Sequence, residues 1–439
     1  MSASQRAVAI VVTVLVVVGA AVLGLSALGV PIGRAPDAST GPTPTIAASS
    51  APSPDGQPSA TAAPSTPDQE EIVAVLRDIE AQVIAIRGLE AAEIGDPELI
   101  TRAELGDELQ ALFDEEYPPE ERERDNRVLR ALGLLGPDED VAELQLELLG
   151  QQVLGFYDDT ERRMVVVTDA GLDAQAKLSY AHEYTHALQD STFGLDGLET
   201  DAEGQDDRSL ARAALIEGDA TVTMLSWAFA HLSPEELLEI GSAPIPDTSD
   251  IPGWMVNQLQ FPYLAGQTWV GALAGNPLEP DYAAVDAAFA DPPDSTEQIL
   301  DPTLEAWVER EAPLDVAVPE FASQLGPGWE AIEETPIGEA SIGITLEYLG
   351  LDRATAADAA DGWGGDRAVI ASGPDDAFAV AWRLRWDTTE DADAFAAAYE
   401  TVLADLPFPA IVRRLAGDEV LVVHGSTDEI LRRVTDSTD

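Results

Sequence analysis

The first apolar segment of the chain is long and carries no charge. Ala7 to Val30 form 24 uncharged, mostly apolar residues, which as a helix at about 1.5 Å per residue would extend roughly 36 Å. That length is enough to cross a bilayer, whereas the apolar core of a cleaved signal peptide has only about 7–15 residues. No clear small-residue cleavage site follows Val30. We therefore predict an uncleaved transmembrane helix within residues 1–34; a protein secreted after signal cleavage is the alternative.

The next segment is rich in proline, serine and threonine. These three residue types make up nineteen of the 34 residues in 35–68, and the segment contains no aromatic residue. Such a segment cannot bury a core, so we predict a disordered, semi-extended linker. Arg6 precedes the apolar run and a strongly acidic chain follows it. The positive-inside tendency therefore predicts a cytoplasmic N-terminus, with the bulk of the chain outside the cell membrane.

Helical spacing of apolar residues begins near Glu70 and dominates as far as about residue 315. Two short apolar runs, Val153–Tyr157 and Met164–Val167, instead predict strands joined by a turn at Asp158–Arg162. The helix predicted over residues 208–231 is apolar on almost every side and should be buried. Further helices are predicted before residue 152 and at residues 173–190, 255–275 and 280–290.

The pattern changes again at about Val316, after which strands alternate with helices. Strands are predicted at residues 368–371, 378–386 and 419–423. Asp387–Leu406 predicts a helix, with Asp387 as its cap and Glu390 three residues later. The predicted fold class is therefore α+β. A mainly helical domain with a small upstream β-hairpin spans residues 69–315, and a smaller α+β unit spans residues 316–439.

Composition narrows the possible partners. The chain has 81 acidic and 23 basic residues, a net charge of −58, and no cysteine. A surface this acidic repels nucleic acid, so no nucleic-acid partner is expected. It is typical of a solvated surface in proteins from salt-loving organisms, where salt screens the self-repulsion; selection of a basic partner is the alternative. The lack of cysteine excludes disulfides, thiolate-bound zinc and iron–sulfur clusters.

The candidate chemistry lies in the segment HEYTH, inside the predicted helix at residues 173–190. Residues i and i+4 share one helix face, so His182 and His186 can present two imidazoles to one ion. Glu183 projects beside that ion, where its carboxylate can take a proton from a metal-activated water. Because the five-residue pattern also arises by chance, the prediction depends on a third ligand.

A catalytic zinc ion usually has three protein ligands and one open position. No histidine lies between His186 and His231, so the third ligand should be a carboxylate. Glu217 lies midway along the predicted apolar helix, where a buried carboxylate is costly unless it is paired. Asp219 points about 200° away around the helix and cannot share the same ion. We predict one Zn²⁺ bound by His182, His186 and Glu217, with Asp219 as a supporting partner or a member of a buried ion pair.

HEYTH followed by a Glu-Gly-x-Ala segment, Glu217–Ala220, resembles the gluzincin zinc metallopeptidases, including their aminopeptidase N-like branch. The runs GFYDD, HEYTHALQD, ALIEGDAT, PPDSTEQIL and GWGGD are similar to uncharacterised bacterial gluzincin-like membrane proteins over roughly residues 130–400. The resemblance implies a zincin-like metallopeptidase fold, with Glu217 as third ligand and Glu183 as general base. It also implies that Tyr263, in a Tyr-x-x-Gly context, stabilises the tetrahedral intermediate; a packed aromatic is the alternative.

Two features depart from the aminopeptidase N-like pattern. Thirty residues separate His186 from Glu217, and no Gly-Ala-Met-Glu-Asn exopeptidase segment precedes the helix. We therefore expect a membrane-anchored endopeptidase that acts on peptides or proteins, with an edge strand near Phe156 that pairs with extended substrate. The alternatives are a non-catalytic cell-surface binding protein with the same fold and a zinc hydrolase of a non-peptide amide.

Other polar residues have simpler interpretations. His231 and His424 are expected to be structural or exposed, since each lies at the end of a predicted element. Ser295–Glu297 could cap a helix. Tyr157 is expected to be a packed hairpin aromatic, with a place in a substrate cleft as the alternative.

Overall fold

The computed structural model describes residues 69–149, 154–168, 171–198, 204–243, 247–276 and 279–438. The predicted transmembrane helix and linker lie outside these ranges. Within them, no helix is both long enough and apolar enough to cross a membrane. The described residues form helices and two sheets, so the predicted α+β class is confirmed.

The elements follow one another in this order. The helices are α1 (Gln69–Arg87), α2 (Arg102–Glu116), α3 (Pro119–Leu132), α4 (Val141–Leu149), α5 (Ala174–Phe193), α6 (Asp206–His231), α7 (Pro234–Gly241), α8 (Gly253–Ala274), α9 (Ala283–Ala290), α10 (Glu297–Leu300), α11 (Leu304–Glu309), α12 (Glu339–Tyr348), α13 (Arg353–Ala360), α14 (Thr389–Val402) and α15 (Asp428–Thr438). The strands are β1 (Glu98–Ile100), β2 (Gly155–Asp158), β3 (Arg163–Val167), β4 (Glu330–Thr335), β5 (Trp363–Ser372), β6 (Phe378–Trp386), β7 (Ala410–Arg414) and β8 (Glu419–Gly425). Short 3-10 helices lie at Leu195–Leu198, Ala322–Leu325, Pro374–Asp376 and Leu403–Asp405.

Helix α5, which carries HEYTH, has a capping residue at its start and a helix-ending glycine after its last residue. The Asp173 carboxylate accepts a hydrogen bond from the Ala176 N–H at 2.8 Å, so it caps the first turn. Gly194 follows the last residue with φ +72°, a conformation that glycine adopts without strain. The helix therefore extends three residues beyond its predicted end at residue 190.

Helix α6 is buried along most of its length, from Asp207 to Ala228. This confirms the burial that its apolar residues predict. Helices α5 and α6 pack against each other, and α8 also packs against α6. Residues 182–186 and 217 therefore lie in the interior of the helical part, on neighbouring elements.

A three-stranded sheet with the order β1-β3-β2 lies beside α5. β2 and β3 are antiparallel, with Phe156 opposite Val165, which confirms the predicted hairpin from Gly155 onwards; Val153 lies outside the described residues. β1 pairs with β3 in parallel and was not predicted. Because β3 is central, β2 is an edge strand, and it packs against the helix that carries HEYTH.

The second sheet is fully antiparallel, with the order β4-β5-β6-β8-β7. Its three predicted strands are present, and two edge strands, β4 and β7, were missed. The predicted cap of α14 is wrong. Thr388 and Asp391 form the capping box instead of Asp387 and Glu390. The reason is that the Asp387 N–H still donates to the carbonyl oxygen of Gly362 at the end of the β5–β6 pair, so the helix begins one residue later.

Candidate metal centre

Three side chains from α5 and α6 meet at one point. His182 Nε2 lies 3.0 Å from His186 Nε2 and 3.1 Å from Glu217 Oε2, and His186 Nε2 lies 3.4 Å from the same oxygen. The three residues are at most 9% exposed. Within the described ranges, this is the one group of three histidine or acidic residues whose ligand atoms all lie within 4.8 Å of one another. The structure thus brings together the three predicted ligands.

The triangle of ligand atoms fits a small tetrahedral ion. In a tetrahedral site with metal–ligand distances of about 2.0–2.1 Å, neighbouring ligand atoms are about 3.3 Å apart. The observed edges of 3.0, 3.1 and 3.4 Å bracket that value. Two imidazoles and one carboxylate are also a donor set that zinc accepts at catalytic sites, with the fourth position open. The residues present therefore fit a zinc ion.

The two histidines keep the Glu217 carboxylate ionised, which is the form that binds a metal ion. Burial alone raises the pKa of Glu217, but the charge of His186 and hydrogen bonds from both histidines lower the pKa to about 2. Burial likewise lowers the pKa of His186, and the adjacent Glu217 carboxylate outweighs it and raises the pKa to about 9. In the metal-free protein, His186 and Glu217 therefore form a buried ion pair, and a cation that binds must displace the imidazole proton.

Gln189 sets the tautomer of His186. The Gln189 side-chain amide donates to the carbonyl oxygen of Ile216 at 3.0 Å and to Asp219 Oδ2 at 2.8 Å. Both partners can only accept, so the amide oxygen must face His186 Nδ1, which lies 2.9 Å away. His186 Nδ1 must then carry a proton and donate it. When a cation displaces the proton on His186 Nε2, the Nε2 lone pair points toward the other two ligand atoms, His182 Nε2 and Glu217 Oε2, as a metal ligand requires. We call these three atoms the ligand triangle.

Arg87 and Asp219 support Gln189 from behind. Arg87 Nε lies 2.8 Å from Asp219 Oδ1 and 3.0 Å from Oδ2, and both side chains are fully buried. The same guanidinium donates to Asp286 at 2.6 Å and stacks over the Tyr282 ring at 4.4 Å. Asp219 therefore joins a buried ion pair and also supports Gln189 beside the three candidate ligands, two roles that the sequence left open. The four residues Arg87, Asp219, Gln189 and His186 form a continuous chain, which we call the supporting chain.

Glu183 lies next to the ligand triangle and is tied to the edge strand. Its Oε2 accepts a hydrogen bond from the backbone N–H of Tyr157 on β2 at 3.1 Å, and the side chain is 4% exposed. The Tyr157 hydroxyl donates to Asp190 at 2.9 Å, two turns further along α5. Tyr157 thus fastens β2 to α5 at two points. The predicted packed position of this aromatic ring is confirmed, since Tyr157 is 6% exposed.

Tyr263 also lies at this group. Its ring is roughly parallel to the His182 ring, with centroids 6.1 Å apart, and the residue is 2% exposed. It approaches because α6 and α8 cross with their backbones in contact. A Cβ on Gly218 would lie 2.9 Å from the Gly266 Cα, and a Cβ on Gly266 would lie 3.0 Å from the carbonyl carbon of Ala214. The glycines of the Glu-Gly-x-Ala and Tyr-x-x-Gly segments are therefore the crossing point of the two helices.

The remaining polar candidates lie away from the ligand triangle. His231, exposed at the end of α6, stacks on Trp227 at 6.2 Å. His424 is buried between the Tyr399 hydroxyl, 2.8 Å away, and the carbonyl oxygen of Ala131, 2.9 Å away. Both therefore have the structural or exposed positions that were expected.

Thr296 corrects the interpretation of Ser295–Glu297 as a capping segment. It occupies the N-cap position of α10 but forms no side-chain cap. Its hydroxyl donates instead to Asp207 at 2.5 Å and accepts from the Ala340 N–H at 3.1 Å. The side chain therefore links α6 to α12.

Comparisons with known proteins bear on the C-terminal part of the chain. A protein-family model described as a domain of unknown function (DUF8575) matches residues 326–435. That range contains the five-stranded sheet and excludes the ligand triangle. No curated protein and no solved structure matched the chain.

Proposed function

We propose that the protein is a zinc-dependent metallopeptidase of the gluzincin type, anchored in the cell membrane with its bulk outside. The observation that carries this proposal is the triangle of His182, His186 and Glu217 ligand atoms, with the Glu183 carboxylate beside it. Zinc held by these residues would supply Lewis acidity, which acidifies a water molecule and polarises a substrate carbonyl. A buried non-catalytic site would need the three ligands but not the adjacent carboxylate.

Glu183 acts as the general base in this proposal. It takes a proton from the attacking water and later passes it to the leaving amine. The Tyr157 N–H holds one carboxylate oxygen at 3.1 Å, so the group has a fixed direction. The hydrogen bond holds the Glu183 side chain, which projects from α5, beside the edge strand β2.

The substrate would bind as an added strand on β2. In the β2–β3 pair, Phe156 lies opposite Val165 and the Val167 N–H donates to the Leu154 carbonyl oxygen, so residues 154 and 156 face β3. Gly155 and Tyr157 therefore direct their backbone groups outwards, and the Tyr157 N–H already meets Glu183. An extended peptide that pairs at Gly155 passes directly beside the general base. Tyr263, whose ring packs beside the His182 ring, would stabilise the oxyanion.

A Glu183→Gln substitution tests the proposal on the full-length protein. Glutamine has nearly the same shape and still accepts a hydrogen bond, so zinc content should match the wild type. Hydrolysis of a fluorogenic peptide library should fall by about 10²–10⁴-fold, the usual contribution of a general base. Glu235→Gln, an exposed position on α7, is the matched control and should keep full activity.

Two outcomes would overturn the proposal in different ways. If Glu183→Gln cleaves peptides as fast as the wild type, Glu183 is not the base. If the wild type holds zinc but cleaves no peptide at low or high salt, peptidase activity is excluded, and a library of non-peptide amides tests the remaining hydrolase function.

A further inference from the structure

A large acidic cavity lies between helices of the helical part and helices of the C-terminal part. It has a volume of 940 Å³, and eight of its eighteen lining residues are aspartate or glutamate. Its walls come from α8 and α10 on one side and from α12, α13 and the start of α14 on the other. Among the described residues that line it, Arg353 is the one cation, and this side chain is 78% exposed and already paired with Glu347 at 3.4 Å. The cavity therefore has far more carboxyl groups than its walls can pair with cations.

Glu339 is the least exposed of these carboxylates. It is 8% exposed and lines the cavity, and its side-chain carboxyl group forms no hydrogen bond or ion pair with any residue in the described part of the chain. Burial and the nearby Glu297 and Asp361 carboxylates raise the pKa of Glu339 to about 9. Burial and Asp387 raise the pKa of Glu297 to about 7. A buried carboxyl group without a partner is costly, and a cation in the cavity would supply the missing counter-charge.

The arrangement of the carboxylates does not suit a single metal ion. A divalent cation needs several oxygen ligands converging within its coordination sphere. Among the described residues, no three acidic side chains of this cavity each place an oxygen atom within 4.8 Å of the other two. The carboxylates are instead spread over the walls, and apolar side chains such as Phe261, Leu300 and Ile344 lie between them. Such a surface matches an aliphatic chain with ammonium groups at intervals.

We propose that this cavity binds a small aliphatic polyamine, with Glu339, Glu297 and Asp387 as partners of its ammonium groups. The ligand would lie between α10, which carries Glu297, and the unit that carries the other two residues. Binding would therefore also stabilise the contact between the helical part and the C-terminal sheet. The inference is independent of peptidase activity, because none of these residues belongs to the ligand triangle.

Spermidine is the probe, and calorimetric titration of the full-length protein is the measurement. High salt screens the exposed acidic surface, so binding that remains reports a specific site. We expect one saturable site in the wild type and an affinity about tenfold lower in Glu339→Gln and in Asp387→Asn. Asp387→Asn removes one close charge, and Glu339→Gln removes a carboxyl group that the bound ammonium group would ionise. Glu429→Gln, an exposed position on α15, removes the same charge and should bind as the wild type does.

Thermal melting gives a second readout. Spermidine should raise the Tm of the wild type and of Glu429→Gln by more than it raises that of Glu339→Gln. Without ligand, Glu339→Gln should melt no lower than the wild type, because it removes a repelled buried carboxyl group. Absence of a saturable site, equal affinity of Glu339→Gln, or displacement of spermidine by an equal concentration of Ca²⁺ would each overturn the proposal.

Discussion

The crossing of α6 and α8 gives a prediction with a built-in control. Gly266 faces the backbone of Ala214, and a Cβ there would lie 3.0 Å from the Ala214 carbonyl carbon and closer still to its oxygen. Carbon atoms in good contact are about 3.5–4.0 Å apart, so Gly266→Ala must separate the two helices by on the order of 0.5–1 Å. No side chain can rotate away to relieve the contact, because the opposing atoms are backbone.

The magnitude follows from two opposing effects. Overpacking a core typically costs about 1–3 kcal/mol, and a contact with backbone should cost an amount near the upper end of that range. Alanine is better than glycine inside a helix by about 1 kcal/mol, which offsets part of the cost. The net destabilisation by Gly266→Ala should therefore be about 2 kcal/mol. Gly271, five residues further along α8, meets nothing closer than Val222 Cγ2 at 4.0 Å, so Gly271→Ala should stabilise the protein by up to about 1 kcal/mol.

Urea unfolding of the two variants measures this difference, and zinc titration measures its effect on the ligand triangle. Glu217 precedes Gly218 at the crossing, and metal sites tolerate deviations of only about 0.2 Å in ligand distance. Gly266→Ala should therefore bind zinc more weakly than the wild type, whereas Gly271→Ala should not. If both variants have equal stability and equal zinc affinity, close backbone contact does not position these helices.

Two further predictions concern buried polar groups. Gln189→Leu removes the acceptor that fixes the His186 tautomer, so zinc affinity should fall by about 10–100-fold. Gln145→Leu, a buried control on α4, should leave zinc affinity unchanged; equal affinities in the two variants would refute the role of the supporting chain. Burial lowers the pKa of His424 to about 4 from 6.5, so the unfolded chain binds more protons between these pH values. The stability from neutral His424 is then present above about pH 6.5 and lost as the pH falls toward 4. The urea midpoint of the wild type should fall more steeply over this range than that of His424→Asn, and parallel slopes would contradict the assignment.

The ligand triangle was predictable because each part of it depends on local geometry. The i, i+4 spacing places His182 and His186 on one face whatever α5 packs against. Glu217 could be identified from the sequence because a carboxylate inside a long apolar helix needs a partner. Gln189 was missed, although its position three residues after His186 places it on the same face and could have revealed it.

Long-range contacts were not predictable from the chain. Arg87 meets Asp219 across 132 positions of sequence, and no pattern near either residue indicates the pair. The hydrogen bond from the Tyr157 N–H to Glu183 likewise depends on how the edge strand docks. β4 was missed because its sequence, EAIEET, is acidic and largely exposed, as an edge strand can be. The acidic cavity arises from five separate helices, so only the folded chain reveals it.

Zinc K-edge X-ray absorption on the full-length protein tests the central claim most directly. We predict one bound zinc ion per chain, with nitrogen and oxygen ligands at about 2.0–2.1 Å and the scattering signature of two imidazoles. His182→Ala should lose one imidazole from that signature, and Glu217→Gln should bind the ion far more weakly. A protein that retains no zinc after exposure to it, or that holds zinc without imidazole ligands, would contradict the account.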